Sequence, residues 1–278
     1  RDSTARNALL RYLTVLFATS GSRRPDLIFC TGDIAFGHSL SKPIRDQYSI
    51  AQQFFDDLLH VCGTEGAPLA RERLFIVPGN HDVNRDAINA DAQSTLRNWA
   101  GSSATYVEKI NQRFYEKPIE FLETMRRLDE YGDFIRSHLP HQDDPEQRHV
   151  YAKNLEINGI SVGVSGFNSA WTCSGLEDDR NLWFAAEWQF NAAREKLKDS
   201  QVRIGLIHHP IDWFNQTERE QATRFIASDF DFWLHGHSHS AWVTPVQSHI
   251  VLAAGAVGAA SSDEFGVNLC TISLTDST

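Results

Sequence analysis

Asp26-Leu27-Ile28-Phe29-Cys30-Thr31-Gly32-Asp33 is a short apolar run that ends in a glycine and a carboxylate. It reads as a buried strand feeding a loop, because an apolar segment of this length between turn signals suits a strand covered on both faces. A helix is expected next, with Ile50, Phe54, Leu58 and Val61 on one stripe and Gly63 past its end. Arg73 to Val77 is a second buried strand, stopped by Pro78-Gly79. Strand, helix, strand with polar residues at the strand ends describes a parallel sheet wound with helices, and such sheets bind ligands at the carboxyl ends of their strands.

Outward from that core, Leu9, Leu10, Leu13, Leu16 and Phe17 repeat at helical spacing and predict an amphipathic surface helix rather than a signal peptide. The chain begins at Arg1 and not Met, so an upstream segment is expected to have been removed or to lie outside this sequence. Residues 86–139 turn helical and charged and read as a helical insertion or cap, with Val107, Ile110 and Phe114, then Phe121, Met125 and Leu128, at helical spacing. Strands are expected at Val150 to Ile157 and Ile160 to Phe167 around an Asn158-Gly159 hairpin turn. A helix carrying Phe190, Ala193 and Leu197 leads to a strand at Val202 to Ile207, and Thr217 with Glu220 has capping-box spacing for another helix. Strands at Phe230 to Leu234, Trp242 to Val246, Ile250 to Ala253 and Val267 to Leu274 complete the pattern.

The composition is that of a soluble globular chain: 278 residues, 41% apolar, 22% charged, which excludes disorder, collagen and a coiled coil. The formal net charge of −10 has the wrong sign for a diffuse grip on DNA or an anionic membrane, so a phosphate-bearing substrate needs a local source of positive charge. The longest apolar run, Ile250 to Ala260, is too short to span a bilayer. Four cysteines, far apart and without a C-x-x-C pair, suggest neither a disulfide framework nor a thiolate zinc site and point to a reducing, cytoplasmic setting.

Four polar clusters each follow an expected strand: Thr31-Gly32-Asp33, Gly79-Asn80-His81-Asp82, His208-His209-Pro210 and Gly236-His237-Ser238-His239. Any one of them alone is ordinary loop chemistry; together at the strand ends of one architecture they suggest a metal centre. In an extended segment His237 and His239 would share a face. Oxygen and imidazole donors without thiolate suit Mn, Fe, Zn or Ni, and Asp33 is the natural bridge between two ions. Two divalent ions about 4 Å apart clamp a phosphoryl group and generate hydroxide near neutral pH. Asp33 and Asn80 are poor members of a closed structural zinc site.

The order GD, GNHD, HH, GHxH resembles the calcineurin-like metallophosphoesterases, along the whole chain. The resemblance implies an α/β fold, a four-layer αββα sandwich of two mixed sheets flanked by helices. It implies that Asp33 bridges two ions, that Asn80, His208 and His237 complete one of them, and that His239 binds the other. His81, paired with Asp82, would face the phosphate as electrostatic stabiliser or proton donor. The family opens with an Asp-x-His motif that has no counterpart upstream of Asp33 here, and truncation is the simplest account. The run from Gly79 to Arg85 also resembles phosphoesterase domains at the front of large bacterial multidomain proteins, which implies further domains as partners.

Arg85, His209 and Asn168 are candidate substrate contacts, and His38 lies beside a ligand loop; for each, an ordinary structural role is the competing reading. Trp171, Trp183, Trp213 and Trp242 are read as packing residues, with stacking on a base as the alternative. The function expected is metal-dependent hydrolysis of a phosphoric ester by a dinuclear centre, with manganese favoured and a nucleotide or nucleic-acid diester as substrate. The alternative is a catalytically weak or inactive scaffold module that keeps the fold.

Overall fold

The computed structural model describes residues 2–19, 23–37, 42–64, 66–144, 148–175, 180–257 and 266–274. Helix α1 (Asp2–Thr19) precedes β1 (Ile28–Cys30), α2 (Ile44–Cys62) and β2 (Leu74–Ile76). Strands β1 and β2 pair in parallel, with Cys30 level with Ile76, so the loops that follow them leave side by side. Helices α3 (Ala90–Ala100), α4 (Ser103–Glu116), α5 (Ile119–Met125) and α6 (Asp129–His138) come next. The remaining elements are β3 (Tyr151–Ile157), β4 (Ile160–Gly166), α7 (Ala186–Leu197), β5 (Val202–Leu206), α8 (Gln216–Asp229), β6 (Phe232–His235), β7 (Trp242–Val246) and β8 (His249–Ala253).

The second sheet is mixed, in the order β3-β4-β5-β6-β8-β7. β3 and β4 form the expected hairpin, whose turn residues Asn158 and Gly159 have φ of 52° and 80°, as a type I′ turn requires. Strands β4, β5, β6 and β8 run parallel, and β7 closes the edge antiparallel to β8. Leu206 is level with Leu234, so the loops after β5 and β6 also emerge together.

Side-chain alternation builds the layers. Phe75 and Val77 of the first sheet, with the partly buried Phe29, face Val162, Val164, Val202, Ile204 and Leu206 of the second in a dry inter-sheet core. Their neighbours Leu74 and Ile76 point the other way, into a cluster with Leu13 of α1 and Tyr48 and Phe55 of α2. On the far face of the second sheet, α7 lies against β3 and β4, and Trp233 packs on Phe167 and Phe190. The result is the expected helix–sheet–sheet–helix sandwich. The helices of the 90–138 stretch join the same outer core through Ile110, Phe114, Phe121, Leu128 and Phe134. Buried Arg127 ties them to the rest by donating to Gln93 Oε1 (2.8 Å) and to the Cys173 carbonyl (2.7 Å). No helix among the described residues is long and apolar enough to cross a membrane.

Three local expectations are corrected. The buried stripe of α2 is Tyr48, Ala51, Phe55, Leu58, Leu59 and Cys62, rotated by about one residue from the stripe read through Phe54, because the helix faces both α1 and α6. Helix α8 is capped by Asn215, whose side chain accepts from the Glu218 N–H, and not by Thr217. Residues 266–274 form no strand: a strand exists only by pairing, and Val267, Leu269, Ile272 and Leu274 lie 40 to 54% exposed with no strand partner among the described residues.

Candidate metal centre

The four polar clusters meet at one end of the sandwich, two from each sheet. After β1 the chain turns sharply at Gly32 (φ 102°) and Asp33 (φ 57°). A side chain at Gly32 would place its Cβ 2.5 Å from His208 Nδ1, and one at Gly79 would place it 2.2 Å from Asp33 Oδ1. The glycines of the two loops are thus demanded by close approach. Asn80, His81 and Asp82 form a single 3₁₀ turn.

Four acceptor atoms converge there. His208 Nε2 lies 2.9 Å from Asn80 Oδ1, 3.2 Å from His237 Nδ1 and 3.4 Å from Asp33 Oδ2. His237 Nδ1 is 3.0 Å from the same Asn80 oxygen. His208 is 1% exposed, and its Nδ1 donates to the Thr31 carbonyl at 2.7 Å. A carbonyl only accepts, so the ring's proton is on Nδ1 and the Nε2 lone pair faces the other acceptors. Burial lowers the pKa of His208, with Asp33 opposing it. Burial and then His208 push His237 down to about 4. The His208 Nε2 lone pair, the Asn80 amide oxygen and the Asp33 carboxylate are acceptors turned toward one another, and a cation between them would relieve their repulsion. Donors about 2.1 Å from a common divalent ion stand about 3.0 to 3.4 Å apart, close to the spacings of His208 from Asn80, His237 and Asp33 and of His237 from Asn80. The donor set fits a divalent metal, and burial favours the unprotonated form of its two histidines that ligation needs.

The left-handed conformations of Asp33 and His237 (φ 66°) cost of order 1 kcal/mol or more each, held by the surrounding contacts. The extended reading of the last cluster is corrected, since His237 and His239 both have positive φ and do not share a face. His239 is exposed and makes no hydrogen bond with the other four donors, although His208 and His237 both feel its charge.

His81 and Asp82 are not paired. Asp33 Oδ1 accepts the His81 backbone N–H (3.0 Å), and His81 Nδ1 contacts the Phe36 carbonyl (3.0 Å). Asp82 is fully buried and accepts the backbone N–H groups of Gly79 (2.8 Å), Ala35 (2.9 Å) and Ile34 (3.2 Å) and the Tyr48 hydroxyl (3.0 Å). Burial, then the charge of Asp33, pushes its carboxyl up to about 7 against those three N–H groups. Asp82 therefore joins the loops after β1 and β2, and the expected catalytic pairing of Asp82 with His81 is corrected, because the buried carboxylate is used up by these backbone contacts.

Two candidate substrate contacts are also corrected by burial. Asn168 donates to the Arg148 carbonyl and accepts from the Ala170 N–H, and Gln189 bonds its backbone on both sides. His209 is 1% exposed, with Nδ1 2.9 Å from Ser169 Oγ and Nε2 3.8 Å from Cys173 Sγ. Its imidazole belongs with those of His208 and His237 to a group whose ring nitrogens lie within 4.8 Å of one another, and it backs His237 from inside. Burial, reinforced by His208 and His237, holds its pKa well below the usual value. Arg85 is exposed on a 3₁₀ turn, with no ion pair among the described residues. His38 lies outside the described residues.

Sequence reasoning missed the Thr31 carbonyl, which any residue type supplies and no motif signals. It read Trp213 as packing, with base stacking as the alternative, and carried no sign that the ring stands edge-on against His237, with centroids 4.0 Å apart.

A family model described as calcineurin-like phosphoesterase matches residues 5–241. The metallophosphoesterase-like protein YydB of Bacillus subtilis (strain 168) is 23% identical over 240 residues, 84% of this chain and 44% of that protein. The chain thus spans less than half the length of this relative. Among solved structures, a Staphylococcus aureus chain described as a 5′-nucleotidase, in complex with alpha-ketoglutarate, aligns over 83% of this chain and 46% of its own at 13% identity and a TM-score of 0.30. The GAP50 anchor of the Plasmodium inner membrane complex aligns over 43% and 40% at 12% identity and a TM-score of 0.29. Superpositions this loose carry no argument.

Proposed function

The chain belongs to the calcineurin-like phosphoesterase family, whose members hydrolyse phosphoric esters with bound metal, and on that premise we propose that it cleaves a phosphodiester of a nucleotide at the centre built by Asp33, Asn80, His208 and His237. The observation that carries this reading is the gathering of Asn80, His237 and Asp33 around His208 Nε2, which the Thr31 carbonyl leaves as an acceptor by binding Nδ1. These four residues would hold one divalent ion, manganese by preference, while Asp33 and His239 would contribute to a second. When bound, such ions neutralise phosphoryl charge and lower the pKa of water.

The chain's own residues do the rest. Asp33 Oδ1 accepts the backbone N–H of His81, and the Phe36 carbonyl accepts a hydrogen bond from a protonated Nδ1, which leaves Nε2 as the ring atom free of that contact. As an imidazolium, His81 would give its Nε2 proton to the departing ester oxygen and remain as the neutral ring protonated on Nδ1. With a net charge of −10, the chain favours a diester's single negative charge over a monoester's two, and a small nucleotide over a long duplex. Four free cysteines suit the reducing cytoplasm.

A second reading, a single-ion centre, draws on the exposure of His239. Metal analysis of the manganese-loaded protein, with turnover of bis(4-nitrophenyl) phosphate against 4-nitrophenyl phosphate, decides between them. Two equivalents of metal with diester turnover are expected, and both are lost in Asp33→Ala and His237→Ala. One equivalent with turnover selects the single-ion reading. Retained turnover in either purified variant counts against the centre as drawn, and absent metal and turnover in the wild type leave a scaffold.

A further inference from the structure

Phe36 is 61% exposed, yet it is one of the most firmly held residues around the centre. Its backbone N–H donates to Gln47 Oε1 (2.6 Å) and its carbonyl is bound to His81 Nδ1 (3.0 Å). The same Gln47 donates to the next carbonyl, that of Gly37, at 3.0 Å. Gly37 itself (φ 80°) lies close enough to His81 that an added Cβ would stand 3.0 Å from the His81 carbonyl. The ring of Phe36 is parallel to the His81 imidazole, with centroids 5.5 Å apart and an interplanar angle of 10°, an offset stack that leaves its remaining surface open. A large apolar ring is left in water, beside a metal-ligand cluster, on a backbone clamped at both hydrogen-bonding groups. That arrangement gives an incoming planar group a platform whose ordering cost is already met.

We propose that Phe36 is a specificity residue that stacks the base of a nucleoside carried on the ester oxygen facing His81. The inference rests on the reading of His81 as the group beside the leaving oxygen. The substituent on that oxygen has to lie next to His81, and Phe36 lines the site there. Stacking on an aromatic ring accepts any base, so this contact selects nucleoside esters over small alkyl esters without choosing among bases.

The test uses the manganese-loaded protein and compares, by calorimetry, adenosine 5′-monophosphate with ribose 5-phosphate, which carries the same phosphate and sugar without the base. The wild type is expected to bind the nucleotide about tenfold more tightly. That ratio collapses toward one in Phe36→Ala and in Phe36→Leu, which keeps apolar volume without an aromatic face, and survives in Phe36→Tyr. Equal affinities in the wild type, or a ratio unchanged in the alanine and leucine variants, overturn the stacking role while leaving diester hydrolysis standing. Failure of the loaded wild type to bind either phosphate, together with no diester turnover, overturns the parent reading and this one with it.

Discussion

His81 and Asp82 are adjacent in the chain and have opposite surroundings. On the proposal that His81 is the proton donor and not a metal ligand, His81→Ala is expected to lower kcat by about 10²- to 10⁴-fold with metal content little changed. Loss of metal instead would move His81 into the ligand set. Asp82 meets three backbone N–H groups and a tyrosine hydroxyl in a fully buried site, and Asp82→Ala leaves those donors unpaired. The expected result is a loss of more than about 2 kcal/mol in urea unfolding, accompanied by release of metal, since the loops bearing Asp33 and Asn80 are no longer tied together. A stable variant that keeps its metal would contradict that account. The letters of the motif announced both residues equally; only their burial separates the roles.

Glu218 shows what an element can hide. On α8 it is fully buried and accepts the N–H groups of Phe184 and Ala186, fastening the start of α7 to α8, and Asn215 caps its own N–H. Burial pushes its carboxyl up to about 7 from 4.5, against the opposing hydrogen bonds. The folded state thus keeps a proton that the unfolded chain releases near pH 4.5. The associated stability is complete below about pH 4.5 and falls as pH rises to about 7, by about 3 kcal/mol in all. Glu218→Gln removes the titration, so the stability of wild type minus variant, from urea unfolding at pH 5 and pH 8, is expected to shrink by about 2 kcal/mol or more at the higher pH. A difference that does not move with pH would mean that Glu218 ionises alike in both states. The Thr217–Glu220 spacing marked α8 as a helix but carried no sign of this buried acid, and it placed the cap two residues late. In the same way, the alternation of Val267 to Leu274 promised a strand that lacks a partner among the described residues.

For the molecule as a whole, the centre is a joint between two sheets: Asp33 and Asn80 follow strands of the first, His208 and His237 follow strands of the second. A cation bound by all four belongs to the folded state alone and is expected to stabilise it by about 2.7 kcal/mol at a hundredfold excess over its Kd. Thermal melts with manganese and after chelation read this directly. The shift is expected in the wild type and absent in Asn80→Ala; equal shifts in both would place the metal elsewhere. The sequence alone was enough to read the order of strands and helices as far as β8, the Asn158-Gly159 hairpin and the donor types of the loops. Those are local matters, set by periodicity, turn residues and the side chains themselves. Which donors meet was decided by tertiary structure. The contacts of His208 with Thr31 and Asn80, and of His237 with Asn80, join residues 177, 128 and 157 positions apart. No local pattern encodes such pairings. They arise because parallel register levels the strand ends in each sheet and because the inter-sheet core sets the two pairs of loops face to face.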